Sequence, residues 1–188
     1  MTGVVLYGPP ASGKSTVTAT LTKLDPRFVL LRKLKAGTWN GGEYEFVSIG
    51  RLAELRAAGR LLVETHRYGN VYAVDRKEVE RMTRAGLVPV VHMGNVGDVR
   101  RLAETASWLL VMLWASREVC ERRCRQRGDL DTAMRMRAWD ETFTELRTQG
   151  EDLFPLRLRD ERAQPSDMAR QIADAYQGVP MPMQGHHA

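Results

Sequence analysis

An α/β fold is what the sequence predicts, and three observations carry that expectation. Short apolar runs such as VVLY (4–7), LVPVVHM (87–93) and WLLVMLW (108–114) alternate with helical stretches, the pattern of a parallel central sheet wrapped by helices on both faces. Residues 33–74 interrupt that alternation with strand-rich material and read as an inserted lobe. Between the first strand and the first helix lies GPPASGKS, Gly8 to Ser15, a glycine-rich turn in the place where an α/β fold holds anions.

The elements follow in order. VVLY is a buried strand ending in the glycine-rich turn. The helical pattern runs from Lys14 to Leu24 and is stopped by Asp25-Pro26. RFVLL (27–31) is a second strand, and KAGTWNGGEYEFV (35–47) is turn-rich and leads into another. Ser48 caps a helix with Ile49, Leu52 and Leu55 on one side, closed by Gly59. RLLVETH and NVYAV are further strands. Asp75 with Glu78 opens a helix that ends at Gly86. After the strands at 87–93 and 108–114 come helices at 117–127 and across 133–148, a strand in FPLRL, and a last helix at 165–176. The tail QGVPMPMQGHHA is expected to be loose.

Composition bounds the function. A chain of 188 residues with 43% hydrophobic and 27% charged residues is ordinary for one globular domain. It has no run of 18 apolar residues, so no membrane span is expected, and the start shows no basic region with a cleavage site, so no secretion signal is expected. Two cysteines, Cys120 and Cys124, fit a reducing cytoplasm; one helical turn apart and without other ligands nearby, they read as small core residues. The net charge is +5, with basic residues intermixed with acids, so no nucleic-acid face is expected.

GPPASGKS fills every fixed position of G-x-x-x-x-G-K-[ST] in the required strand–turn–helix context. Backbone N–H groups of Gly8, Ala11, Ser12, Gly13, Lys14, Ser15 and Thr16 are candidates for gripping the phosphates of ATP, Lys14 for reaching the β- and γ-phosphates, and the Ser15 hydroxyl for ligating Mg²⁺. A loop of this kind does not by itself separate kinases from GTPases or motors; no NKxD guanine motif occurs, and the chain is short for a motor.

With that loop ahead, EYEFV and GNVYAV in the insert, and ERRCRQRG behind, residues 3 to 148 resemble the guanylate kinase family. The resemblance implies a three-layer P-loop kinase fold: a core at 1–32, 75–120 and 149–177, an acceptor-binding lobe at 33–74 and a helical lid at 121–148, with a tail at 178–188. It implies that Arg32, Lys35, Tyr44 and Tyr72 grip the acceptor's phosphate, with packing as the competing role of the tyrosines. It implies that the lid arginines Arg123, Arg127 and Arg137 stabilise the transferring phosphoryl group, a solvated arginine-rich helix being the alternative.

The guanine-reading positions depart from that family. Its serine on the second strand falls on Phe28, its glutamate on Val63 with Glu64 one residue late, its Ser/Thr after the tyrosine on Val74, and the aspartates of D-I-D-x-Q-G on His92 and Gly94. A one-residue slip on a strand turns a side chain to the other face, and restoration of the reading by Glu64, Asn95 or a local bulge stays open as the alternative. Ser15 is the one clear metal ligand, with Glu64 and Asp98 as candidates to help it. The expected function is transfer of the γ-phosphoryl of ATP to a small phosphorylated acceptor other than GMP, by a monomer or homodimer. A genuine guanylate kinase, an enzyme like ribose 1,5-bisphosphate phosphokinase (suggested by THRYGNVYAV) and a non-catalytic phospholigand-binding module stay open as alternatives.

Overall fold

All five residues of GVVLY are buried at the centre of a sheet, and its one polar side-chain group, the Tyr7 phenol, donates to the Thr142 carbonyl at 3.1 Å. A computed structural model describes residues 1–38, 43–67, 69–128, 131–150, 152–159 and 163–178. Its central sheet comprises β1 (Gly3–Tyr7), β2 (Phe28–Leu30), β7 (Val88–Met93), β8 (Trp108–Trp114) and β9 (Leu156–Arg159), in the order β2-β7-β1-β8-β9. Every pairing is parallel. One face packs on α1 (Lys14–Leu24) and α7 (Pro165–Gln177), burying Val17, Leu21, Met168 and Ile172 against Val4, Leu6 and Val111. The other face buries Val5, Tyr7, Val91 and Leu110 under α3 (Arg76–Arg84) and α4 (Val96–Thr105) through Val79, Met82, Val99 and Leu102. Two apolar layers on one sheet are the reason its strands are apolar on both sides.

The insert forms a second sheet of β3 (Lys33–Ala36), β4 (Tyr44–Phe46), β5 (Leu61–Arg67) and β6 (Asn70–Asp75), in the order β4-β3-β6-β5. Its outer face carries α2 (Ile49–Ala57), which buries Leu52 and Leu55 on Leu34, Ala36 and Ala73. The other face roots in the core through Val63 and Val74. α5 (Arg117–Gln126) and α6 (Thr132–Glu145, continuing in a wider turn over Leu146–Gly150) pack on each other through Cys120, Cys124, Met136 and Trp139. Both cysteines are thus small core residues, and among the described residues no cluster of three His, Cys, Asp or Glu could hold a metal. No described helix is long and apolar enough to cross a membrane.

The expected caps are present. Ser48 Oγ accepts from Arg51 N, and Asp75 accepts from Lys77 N. Glu78 does not complete a capping box; its carboxylate holds Arg81 instead. Ile49 leaves the buried stripe of α2 and is 74% exposed, because the contact with the sheet begins only at Leu52. α4 is an element the sequence reading lacked, though Asn95 caps it on Asp98 N and Val96, Val99 and Leu102 repeat at three-residue spacing. The segment 35–47 holds parts of two strands, while residues 39–42 and the tail from 179 onward lie outside the described residues.

Candidate active site

The phosphate loop is built by β1 and α1. At Gly8 a Cβ would lie 2.1 Å from the Leu113 carbonyl oxygen, so the chain passes β8 at a distance only glycine allows. Gly13, with φ 97°, turns the backbone into α1, and Ala11 is the one described non-glycine residue at positive φ (60°). Lys14 follows at once. Its Nζ donates to the carbonyls of Gly8 (2.7 Å) and Pro9 (2.8 Å) and lies 3.4 Å from Ser12 Oγ, so it crosses the mouth of the loop. Burial, reinforced by the charges of Lys33 and Arg135 and opposed by Cys120 and Glu43, brings its pKa down to about 8.

Ser15 Oγ donates to Glu43 Oε1 at 2.5 Å, joining the loop to the edge of the inserted lobe. A hydroxyl and a carboxylate brought together are the hard oxygen donors that Mg²⁺ takes, so the residues fit that ion through Ser15 and Glu43. Glu43 was missed in the sequence, where EYEFV drew attention only to its tyrosine. The two helpers expected there, Glu64 and Asp98, are engaged elsewhere, Glu64 by Arg56. Asp98, buried at the start of α4, accepts from Thr65 Oγ1 and Asn95 Nδ2 and pairs with Arg101 at 3.1 Å. His92 Nε2 meets Thr18 Oγ1 at 2.8 Å. Burial, with Lys14 and Lys33 nearby, brings its pKa down to about 3, so it stays neutral and is a satisfied histidine at a strand end.

Across the cleft, the inner face of the second sheet carries Lys33, Lys35, Tyr44, Phe46, Tyr72, Val74, Val63 and Thr65. Pairing sets this row: Lys35 stands beside Phe46 and opposite Tyr72, and Tyr72 opposite Thr65. The Tyr44 and Tyr72 rings lie 5.3 Å apart, and Lys35 Nζ sits 5.4 and 5.3 Å from their centroids. Burial pushes the Tyr44 phenol up to about 12 and raises Tyr72 as well, so both remain hydrogen-bond donors. Lys35 is fully buried, and that burial lowers its pKa.

Two candidate acceptor residues stand elsewhere. Arg32 is on the outer side, where Nη2 donates to the Tyr44 carbonyl at 2.9 Å beside a cavity of about 300 Å³ that it lines with Glu45, Arg60 and Asp75. The strand period gives the reason: Lys33 and Lys35 share the inner face, while Arg32 and Leu34 share the outer one. Glu64 is likewise outward, gripped by Arg56 of α2 through Nε (2.8 Å) and Nη2 (2.6 Å) and touching His66. An irregularity in the β5–β6 register does occur between Leu61 and Val63, yet Val63 keeps the inward position. Phe28 does not line the cleft at all. It opens β2, is fully buried under α1 and α7, and meets Tyr176 edge-on.

The place vacated by the aspartates is covered by Arg67 of β5. Its Nη1 donates to the Gly94 carbonyl at 3.4 Å and its Nη2 pairs with Glu141 on α6. Of the arginines expected from α5 and α6, Arg123 Nη1 donates to the Ala11 carbonyl at 3.2 Å and so reaches the phosphate loop. Arg127 caps the exposed end of α5, and Arg137 is exposed with no side-chain contact to the loop among those described. Arg135 is the residue of α6 whose charge acts on both Lys14 and Tyr44. It lies one turn before Ala138 on the buried stripe continued by Thr142, whereas Arg137 lies two residues round the helix. That spacing was available in the sequence.

No family model matches the chain. Among curated proteins it is similar to the guanylate kinase of Bordetella pertussis, 34% identical over 87 residues, which cover 44% of this chain and 40% of that protein's length. The guanylate kinase of Ralstonia nicotianae is 30% identical over 132 residues, 66% of this chain and 59% of that protein. The chain thus matches well under two thirds of the length of these relatives. Among solved structures, a guanylate kinase from Anaplasma phagocytophilum superposes with a TM-score of 0.67 over 96% of this chain and 88% of that one, at 17% identity. With a phosphate loop on a five-stranded parallel sheet and a strand-rich insert facing it, the chain has the fold of a P-loop kinase and is similar in sequence to guanylate kinases.

Proposed function

We propose that the protein is an ATP-dependent phosphotransferase that moves the γ-phosphoryl group onto the phosphate of a small phosphorylated acceptor, and that this acceptor is not GMP. The observation that carries the reading is one cleft with two unlike walls. Lys14 and the loop amides stand on one side; on the other, Lys35, Tyr44 and Tyr72 form a phosphate-directed cluster. Next to that cluster the wall is Val63, Val74 and Gly94, the last covered by the Arg67 guanidinium. Guanine presents an N–H edge, which Arg67, a donor, cannot accept from; each buried group left unpaired costs roughly 1–3 kcal/mol.

In the transfer, an acceptor phosphate oxygen attacks the γ-phosphorus as the bond to the β-phosphate oxygen breaks, and ADP leaves with the electron pair. That oxygen is already anionic, so no base is required, which agrees with His92 being neutral and hydrogen-bonded to Thr18. Charge and position are what the chain supplies: Lys14 and Arg123 at the loop, Arg135 between loop and lobe, Lys35 and the two phenols at the acceptor. Mg²⁺, held by Ser15 and Glu43, would neutralise charge on the β- and γ-phosphates. An intact loop argues against a purely phospholigand-binding module. The test is ADP release across nucleoside monophosphates, deoxynucleotides and sugar phosphates. A phosphorylated acceptor other than GMP should give the highest kcat/KM; GMP as the best acceptor would refute the acceptor assignment, and absence of ADP release with all of them would refute the phosphotransferase.

A further inference from the structure

Lys33 is the basic residue of RKLK that the sequence reading passed over. It opens β3 two residues before Lys35, and the strand period sets both on the inner face. Its Nζ lies 5.5 Å from the Tyr72 ring centroid and 6.0 Å from that of Tyr44. Lys35 Nζ lies close to the same two rings and also 5.4 Å from that of Phe46, so Lys35 is enclosed by the lobe. Lys33 is felt on the core side instead. Its charge acts on Lys14 of the phosphate loop and on His92 of β7, while Glu43 and Asp98 act on it in return. It therefore stands at the seam of the cleft, between the Lys14 ammonium on the phosphate loop and the Tyr44 and Tyr72 rings of the lobe.

The Lys33 and Lys14 ammonium groups repel one another. The two carboxylates whose charges act on Lys33 are shared with other groups: Glu43 with Ser15, Asp98 with Thr65, Asn95 and Arg101. A chain of phosphates running from Lys14 to the Tyr44–Tyr72 pair is the ligand whose charge matches this line.

We propose that Lys33 is a bridging phosphate ligand, contacting the phosphoryl group in transit between ATP at Lys14 and the acceptor phosphate at Lys35, Tyr44 and Tyr72. The inference rests on the phosphotransferase reading and adds a residue to it. Lys33 donates hydrogen bonds and charge, and moves no proton. The bond that forms is acceptor oxygen to γ-phosphorus, the bond that breaks is γ-phosphorus to the β-bridging oxygen, and the leaving electron pair goes with ADP.

The experiment compares a probe that spans the seam with one that stops short of it. Calorimetry of the full chain with Mg²⁺ measures binding of adenosine 5′-pentaphosphate and of β,γ-imido ATP to the wild type, Lys33→Met and Lys33→Arg. Wild type should bind the pentaphosphate at least about tenfold more tightly than the imido analogue, and Lys33→Met should erase most of that ratio while holding imido-ATP affinity within about twofold. Lys33→Arg should restore the ratio. A ratio unchanged in Lys33→Met, or both ligands weakened equally, overturns the bridging role alone. Failure of the wild type to bind either ligand overturns the phosphotransferase reading together with it. Should Lys33→Met melt well below the wild type, Lys33→Gln read by the same ratio decides.

Discussion

The phosphate loop and the inserted lobe face each other across one cleft, and they were determined in different ways. Every functional group of the loop comes from consecutive residues, Gly8 to Thr16, on a turn whose shape is set by Gly8 and Gly13. The lobe assembles its groups from β3, β4, β5 and β6, so which side chain enters the cleft depends on strand faces and register. In the loop, the glycines and Lys14 take the backbone positions the motif requires, while the Gly8 and Ser12 amides donate to the Met93 and Pro9 carbonyls. In the lobe, motif positions and cleft positions separate: Arg32 and Glu64 carry suitable chemistry and point outward, while Lys33 and Arg67 point inward.

The largest expected effect tests the loop side. Lys14→Ala should lower kcat by on the order of 10²–10³-fold in steady-state assays, with little change in melting temperature, because the side chain is held by loop carbonyls and not by the apolar core. A second test of the same group uses pH. Its pKa near 8 lies below the ordinary lysine value, so the charged form is lost as pH rises through about 8. Affinity for imido ATP should therefore fall from pH 7 to pH 9 in the wild type and stay flat in Lys14→Ala. Burial is the largest cause of this lowering, and Cys120, Lys33, Glu43 and Arg135 are the charged or titratable groups that adjust it.

The two arginines of α6 sharpen the contrast between motif and geometry. Arg135→Ala should reduce kcat by roughly 10–100-fold, with a smaller change in the KM for ATP, and Arg137→Ala should leave kcat within about twofold. The reverse order would return the lid role to Arg137. The lobe has a matching pair. Lys35→Met should raise the acceptor KM by about tenfold or more, since a charge-assisted phosphate contact is worth roughly 1.5–3 kcal/mol. Glu64→Gln should leave that KM within about twofold and instead loosen α2, as its carboxylate is held by Arg56.

The smallest effect concerns His92. Its native pKa near 3 lies below the ordinary value of 6.5, so between those values the unfolded chain takes up a proton that the native state refuses. Stability contributed by the neutral ring is full above about 6.5 and is lost progressively as pH falls toward 3. His92→Gln should flatten that part of the stability–pH curve in chemical unfolding, and the kcat profile of the wild type should show no inflection near 6.5.

Much of this molecule was already legible as a linear pattern. Apolar runs gave nearly every strand, Asp25-Pro26 stopped α1 at Leu24, Ser48 and Asp75 capped α2 and α3, and GKS set the phosphate loop, because each depends on neighbours within a few residues. The short α4 was also written there, in Asn95 followed by Val96, Val99 and Leu102, and went unread between two strong strands. What tertiary structure alone decided was the content of the cleft. Pairing of β3 with β4 and β6 turned Lys33 and Lys35 inward and Arg32 outward. The register of β5 kept Val63 in the core and gave Glu64 to Arg56. The packing of α6 set the Arg135 charge within reach of Lys14 and left Arg137 exposed, and the meeting of two distant segments brought Glu43 onto Ser15. Spacing along the chain specifies which residues share a face, but only the packed neighbours specify which face meets the ligand.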